Sequence, residues 1–253
     1  WAFIHIFCLI CNRARQPATL AVESTHYNRS LAFTANKISR PGSNLTLEKI
    51  SVFVTTYNNE RTLAACLESV KWAEEIVVLD SLSNDTTLDI ARRYQCNIFQ
   101  HPFMGYSKQK QMALDHTTHR WVLLLDADEA LSPPLQEEIK HLQAAGLIGE
   151  GADGYEFPRL EQLFWRMNHP GVRLNYFLRL FDKTKGKINT VPIHASPEVI
   201  GIIKRIDMPF YHYGETSVHV KVDKINHYST GLVEHTVAKN ARANPLIMVF
   251  YPP

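Results

Sequence analysis

Three acidic groups within four positions, Asp126, Asp128 and Glu129, follow directly on the apolar run Trp-Val-Leu-Leu-Leu at 121–125. A short continuous apolar run suits a strand covered on both faces of a parallel sheet. Open α/β sheets bind ligands beyond the carboxyl ends of their strands, so Asp126 and Asp128 emerge where a ligand would sit. Two carboxylates one residue apart on a turn can share a hard divalent cation and leave positions free for phosphate oxygens. Their oxygen donors suit Mg2+ or Mn2+. The plainer alternative is a polar strand end that caps the next helix.

Strand and helix signals alternate around this pair. Residues 50–55 are β-branched and apolar enough for a strand, 57–59 form a Tyr-Asn-Asn turn, and Leu63, Cys66, Leu67 and Val70 recur at helical spacing. A second buried strand at 76–79 ends at Asp80, and the polar turn 81–85 can cap a helix carrying Leu88 and Ala91. A weaker strand at 97–100 and a helix at 107–116 precede the acidic strand. Ser132 can cap and Pro133 open a helix over 133–145, which Gly146 ends. This alternation predicts an α/β fold with a mostly parallel sheet and right-handed crossovers. Residues 49–146 therefore read as a nucleotide-binding half. Neither a Gly-x-Gly-x-x-Gly turn nor a Walker loop is present, which argues against dinucleotide oxidoreductases and P-loop enzymes.

Outside that half the pattern loosens. Residues 1–48 mix Arg, Asn, Ser, Thr and Pro without a sustained period, and Pro41-Gly42-Ser43-Asn44 reads as a linker, so a boundary is expected near Glu48. Residues 147–253 form a second half, with strands at 154–158 and 175–181, a turn at 182–186 and an irregular loop at 191–198. From Ser217 onward Val218, Val222, Ile225, Tyr228 and Leu232 keep helical spacing, with Lys221 and Lys224 off that stripe. Such a helix either packs on the domain or lies on an anionic membrane surface.

The chain has 253 residues, and its 27 Lys and Arg nearly balance its 25 Asp and Glu. That balance disfavours nucleic acid as a partner. No apolar run approaches the ~20 residues of a membrane-spanning helix, and residues 1–10 lack the basic flank of a signal peptide. Cys8 and Cys11 are half of a zinc or redox motif with no second pair, while Cys66 and Cys96 read as core. Scattered cysteines fit a reducing compartment, in which the sequons at Asn28, Asn44 and Asn84 carry no message. The first residue is Trp, and residues 245–253 are apolar without a stop signal, so a piece of a longer protein is expected.

Four pieces in order, Thr55-Thr56-Tyr57-Asn58-Asn59-Glu60, Ile76-Val77-Val78-Leu79-Asp80-Ser81, Gln109-Lys110-Gln111 and Asp126-Ala127-Asp128-Glu129, resemble inverting family 2 glycosyltransferases of the GT-A fold. Later pieces, Phe177-Leu178-Arg179-Leu180-Phe181, residues 191–198, Phe210-Tyr211-His212-Tyr213 and residues 224–230, resemble the branch containing bacterial lipopolysaccharide core β-glucosyltransferases. The resemblance spans residues 49–235. It implies a Rossmann-like sheet with an acceptor-side α+β portion, and a UDP-sugar as donor. Thr55 and Tyr57 match the positions that contact the base, with Tyr57 stacking on uracil. Asn59 and Glu60 match an Asn-Glu pair, although Glu60 also suits the first turn of a helix, where the dipole favours an acid. Asp80 matches the acid that reads base or ribose, Asp126 faces the ribose beside the metal, and Asp128 holds the metal. Lys110 matches a basic position nearby, or else belongs to a solvated helix face.

Inversion needs a base that takes the acceptor hydroxyl proton. Many relatives carry Val-His-Glu, whereas here His194 is followed by Ala195 and the nearest acid is Glu198. Glu198 is therefore the first choice as base, with Glu129 and Asp182 behind it. His194 and His212 are candidates for an extra metal ligand, an acceptor contact or a structural role, and Arg179 suits an anionic acceptor or diphosphate. The expectation is a metal-dependent transferase that moves a hexose, glucose first, from UDP to a hydroxyl of a cell-surface glycan or glycolipid. It would work at the cytoplasmic face of the inner membrane with at most peripheral contact. The alternatives are a sugar nucleotidyltransferase and an inactive nucleotide-binding subunit.

Overall fold

The structure is a computed structural model, and it describes residues 47–164, 166–168, 174–191, 195–214, 217–219, 222, 225 and 226. Strands β1 (Ile50–Thr56), β2 (Glu75–Asp80), β3 (Asn97–Gln100) and β4 (Trp121–Asp126) pair in parallel in the order β3-β2-β1-β4. Successive side chains of a strand point to opposite faces, and here both faces are covered. Val52, Val54, Val78, Leu123 and Leu125 pack on α1 (Leu63–Glu68), α2 (Thr87–Arg93) and α4 (Pro133–Ala144). Phe53, Val77, Leu79, Val122 and Leu124 pack on α3 (Tyr106–Asp115). This two-sided burial is the reason the strands read as unbroken apolar runs. The Ser132 side chain accepts from Leu135 N at the start of α4, and Gly146 leaves it at φ 67°.

The remaining strands are β5 (Glu129–Leu131), β6 (Gly154–Leu163), β7 (Arg166–Met167), β8 (Tyr176–Asp182), β9 (Gly186–Ile188), β10 (Pro197–Val199), β11 (Ile203–Arg205) and β12 (Phe210–His212). The sheet runs on from β4 through β8, β6 and β12 to β5, so both halves of the sequence share it. Only Ala127 and Asp128 separate β4 from β5 in the chain, yet three strands lie between them in the sheet. Two residues reach about 7 Å when extended, so the sheet must curl until β5 returns beside the end of β4. Asp126, Asp128 and Glu129 sit on the seam where that curl closes.

Two local features shape the seam. In β8 the register passes from Leu180, opposite Tyr155, to Leu178, opposite Glu156, which leaves Arg179 as an extra residue. A bulge of this kind re-aims a side chain. In β6, Pro158 pairs within the strand and the ladder continues to Leu163, five residues beyond the expected end. The helix expected from Ser217 falls largely outside the described residues; of its stripe, Val218, Val222 and Ile225 are exposed. Among the described residues no helix is long and apolar enough to cross a membrane.

Candidate active site

The carboxyl ends of β1 and β2 form one wall. Tyr57 lies 58 % exposed just past β1, on a turn held by Asn59, whose Oδ1 accepts from Thr56 Oγ1 and Tyr57 N at 3.0 Å each. Asn58 adopts φ 50° there, a left-handed conformation that Asn tolerates. Asp80 is fully buried and accepts from Ser83 N at 2.9 Å, Gln100 Nε2 at 3.1 Å and Ser83 Oγ. Its carboxylate holds the turn after β2. Glu60 accepts from Thr86 Oγ1 at 2.8 Å and Thr86 N at 3.3 Å at the start of α2. Glu60 thus lies before α1 rather than in its first turn, and its carboxylate caps the start of α2 instead.

The seam carries the charges. Lys110, on α3 and nearly buried, places Nζ 2.6 Å from Asp126 Oδ1 and 3.4 Å from Ala195 O. Arg179 approaches Asp126 Oδ2 at 3.8 Å and Glu129 Oε1 at 2.5 Å. Glu129 Oε2 accepts from Asp126 N at 3.1 Å, so both of its oxygens are engaged in holding the 126–129 turn. His212 Nε2 lies 3.4 Å from Asp128 Oδ2, and Tyr213 N donates to Asp128 O at 2.7 Å. Arg179 and Arg159 rest on aromatic rings, Arg179 5.2 Å from the Phe210 centroid and Arg159 4.2 Å from that of Phe177. Cation–π contact with buried rings substitutes for part of the water these guanidinium groups give up.

The electrostatics follow from this packing. Burial alone would raise the Asp126 carboxyl, but Lys110 and then Arg179 overcome it and hold the group at about 2. Burial raises the Glu129 carboxyl; Arg179 opposes this only in part, and the nearby Asp126 and Asp128 charges add to the rise. For His212 burial lowers the pKa, yet the Asp128 carboxylate wins and the imidazole is raised. Asp126 is thus already neutralised by protein cations. Lys110 occupies its Oδ1, whereas its Oδ2 has only the longer Arg179 contact at 3.8 Å. The Asp128 carboxylate and the His212 imidazole converge here, and the imidazole can ligate a cation only in its neutral form. Among the described residues no three His, Cys, Asp or Glu side chains form a ready cation cage, so a divalent ion on this pair would take its other ligands from phosphate and water.

Residues 51–205 match the family model described as Glycosyl transferase family 2. The chain belongs to this family. A Rickettsia felis protein named as an uncharacterized glycosyltransferase is 32 % identical over 198 residues, covering 73 % of this chain and 69 % of that protein. The lipopolysaccharide core biosynthesis glycosyltransferase LpsC of Rhizobium meliloti is 28 % identical over 212 residues, covering 81 % of this chain and 77 % of LpsC. A similar Rickettsia typhi protein is matched over only 66 % of its own length. The crystal structure of S. aureus TarS 1–349 in complex with UDP-GlcNAc superposes with a TM-score of 0.50 at 20 % identity, covering 68 % of this chain and 60 % of that one. The fold is the mixed α/β, parallel-dominated GT-A type, and the nucleotidyltransferase alternative falls away.

Within this family 2 fold, the structure separates the residues singled out from sequence. Thr55 and Asp126 share a rung of the β1–β4 ladder, and Lys110 joins them. Asp182 is a correction: it pairs with Trp121 at the opposite end of β4 and binds Arg120 at 2.6 Å and Thr184 Oγ1 at 2.7 Å. Glu129 is likewise corrected from base to structural carboxylate, since Arg179 and Asp126 N occupy it. Glu198 is exposed on β10, where Pro197 is buried and Val199 packs on the α3-side core, so alternation turns it away from that core. In the β9–β10 ladder Glu198 is paired with Lys187. His194 lies outside the described residues. Sequence reasoning missed Arg159 and Glu161, because Pro158 read as a strand end. The available signal was the alternation Phe157, Arg159, Glu161, which places two charges on the face of a buried aromatic residue.

Proposed function

We propose that the protein is an inverting glycosyltransferase that moves a hexose, glucose in the first instance, from a UDP-sugar to a hydroxyl of a cell-surface glycan such as lipopolysaccharide core. The observation that carries this reading is the seam itself: Lys110, Arg179, Asp128 and His212 converge at the carboxyl ends of the parallel strands of a family 2 fold. LpsC, named for lipopolysaccharide core biosynthesis, supports the acceptor class. The work belongs at the cytoplasmic face of a membrane, where a lipid-carried acceptor is met.

Tyr57 presents an exposed ring on which a uracil can stack, and Thr55 and the Asn59-held turn border the nucleoside. Asp128 and His212 would hold Mg2+ or Mn2+, which when bound neutralises charge on the departing nucleoside diphosphate. Lys110 and Arg179 keep Asp126 ionised and fixed, so the strand end does not rearrange when an anionic donor arrives. The curled strands exclude water from beneath the seam through Phe157 and Phe210.

Thermal stabilisation by a panel of nucleotides and nucleotide sugars, with and without Mn2+, tests this. A ligand that binds only the folded state raises stability by about 2.7 kcal/mol at 100 times its Kd. A shift with UDP and UDP-glucose that needs the metal, and is lost in Asp128→Ala while the unliganded protein stays folded, is the expected outcome. No shift with any nucleotide in folded protein refutes the reading.

A further inference from the structure

We propose that Glu161 is the catalytic base, the group that takes the proton of the acceptor hydroxyl; this rests on the transferase reading above. Four carboxylates lie along the curled seam, and three of them have other tasks. Asp126 is paired with Lys110, Asp128 with His212, and Glu129 with Arg179. Glu161 is the fourth.

Its position follows from register. His212 on β12 is paired with Glu129 on one side and with Glu161 on β6 on the other. Residues paired across neighbouring strands project from the same face, so Glu129, His212 and Glu161 form one row across β5, β12 and β6. Arg159, two residues earlier on the same face of β6, ties the row together. Its Nη2 binds Glu161 Oε1 while its Nη1 lies 4.0 Å from Glu129 Oε1. Glu129 at the inner end is 1 % exposed and Glu161 at the outer end is 45 % exposed, so only the outer acid can meet an incoming hydroxyl. Among the described residues Glu161 Oε2 receives no protein hydrogen bond and is free to accept one. Arg159 fixes the carboxylate through one oxygen and leaves the other for chemistry. Its guanidinium remains charged throughout and cannot return the proton.

The step balances within the groups named. The acceptor oxygen forms a bond to the anomeric carbon as the bond from that carbon to the β-phosphate oxygen breaks. The electron pair leaves with UDP, and the hydroxyl proton passes to Glu161.

Glu161→Gln keeps the shape and the hydrogen bond from Arg159 but cannot take a proton. With UDP-glucose and an acceptor that wild-type protein glycosylates, kcat should fall by about 10²–10⁴-fold, with the donor KM and the UDP-induced melting shift nearly unchanged. Glu161→Asp, which withdraws the carboxylate by one methylene, should lose less kcat than the Gln variant. A Gln variant that keeps more than a tenth of wild-type kcat, or an Asp variant that loses as much as the Gln variant, overturns the assignment while leaving the transferase reading intact. Wild-type protein that transfers sugar to no acceptor overturns both.

Discussion

Replacing Lys110 by Met removes an ammonium and keeps a side chain of similar length, so it isolates the charge that faces Asp126. The Asp126 carboxyl sits at about 2 against an ordinary value of 3.8. At about 1.36 kcal/mol per pH unit that difference is worth roughly 2.4 kcal/mol. Arg179 supplies part of it from 3.8 Å, and the Asp126 side chain is 32 % exposed, which discounts it for solvent screening. Against this, the remaining carboxylate is left partly desolvated without its nearest partner, so the expected loss at neutral pH is about 2 kcal/mol. In a folded unit of this size that lowers Tm by roughly 4–8 °C. The sign with pH is determined: a depressed carboxyl contributes stability above its unfolded value of 3.8, and the contribution disappears as pH falls towards 2. Urea unfolding of wild type and Lys110→Met across this range should therefore show a gap that is full at neutral pH and narrows below about pH 4. A gap that is absent at neutral pH, or that does not change with acidification, would refute the assignment of Lys110 to Asp126.

Two further outcomes separate structural from chemical roles. Asp182→Asn should lower stability by about 1–3 kcal/mol and leave kcat unchanged; a loss of kcat at constant donor KM would restore Asp182 as a base. Burial would raise that carboxyl, but Arg120 and Thr184 hold it below the ordinary range, so the stability gap should close as pH falls below about 4. Cys66 is fully buried, and burial, reinforced by Glu129 and Asp128, pushes its thiol well above the ordinary value. Iodoacetamide at about pH 8 should leave Cys66 unmodified in native protein and label it after denaturation, as read by site-resolved mass spectrometry; fast native labelling would mean that the α1 side of the core opens.

The parallel half was legible because its signals are local. Runs such as 76–79 and 121–125 are apolar throughout only when both sheet faces are covered, and Ser132-Pro133 and Gly146 mark α4 whatever surrounds it. The acids at 126–129 declared themselves by following such a run. What they do was not legible, since four carboxylates near one another differ only in their partners. Lys110 comes from α3, Arg179 from a bulge in β8, Arg159 from beyond a proline and His212 from a three-residue strand, and no spacing in the chain records those approaches. The sequence alone determined the alternating architecture and the family, and it singled out the acids after β4 as the candidate site. Tertiary structure decided that Asp126 is neutralised, that Asp182 lies at the wrong end of β4, and that Glu161 shares a row with His212. The reason is the curl between β4 and β5: a two-residue connection forces the sheet to close, and closure brings together side chains that are distant in the chain.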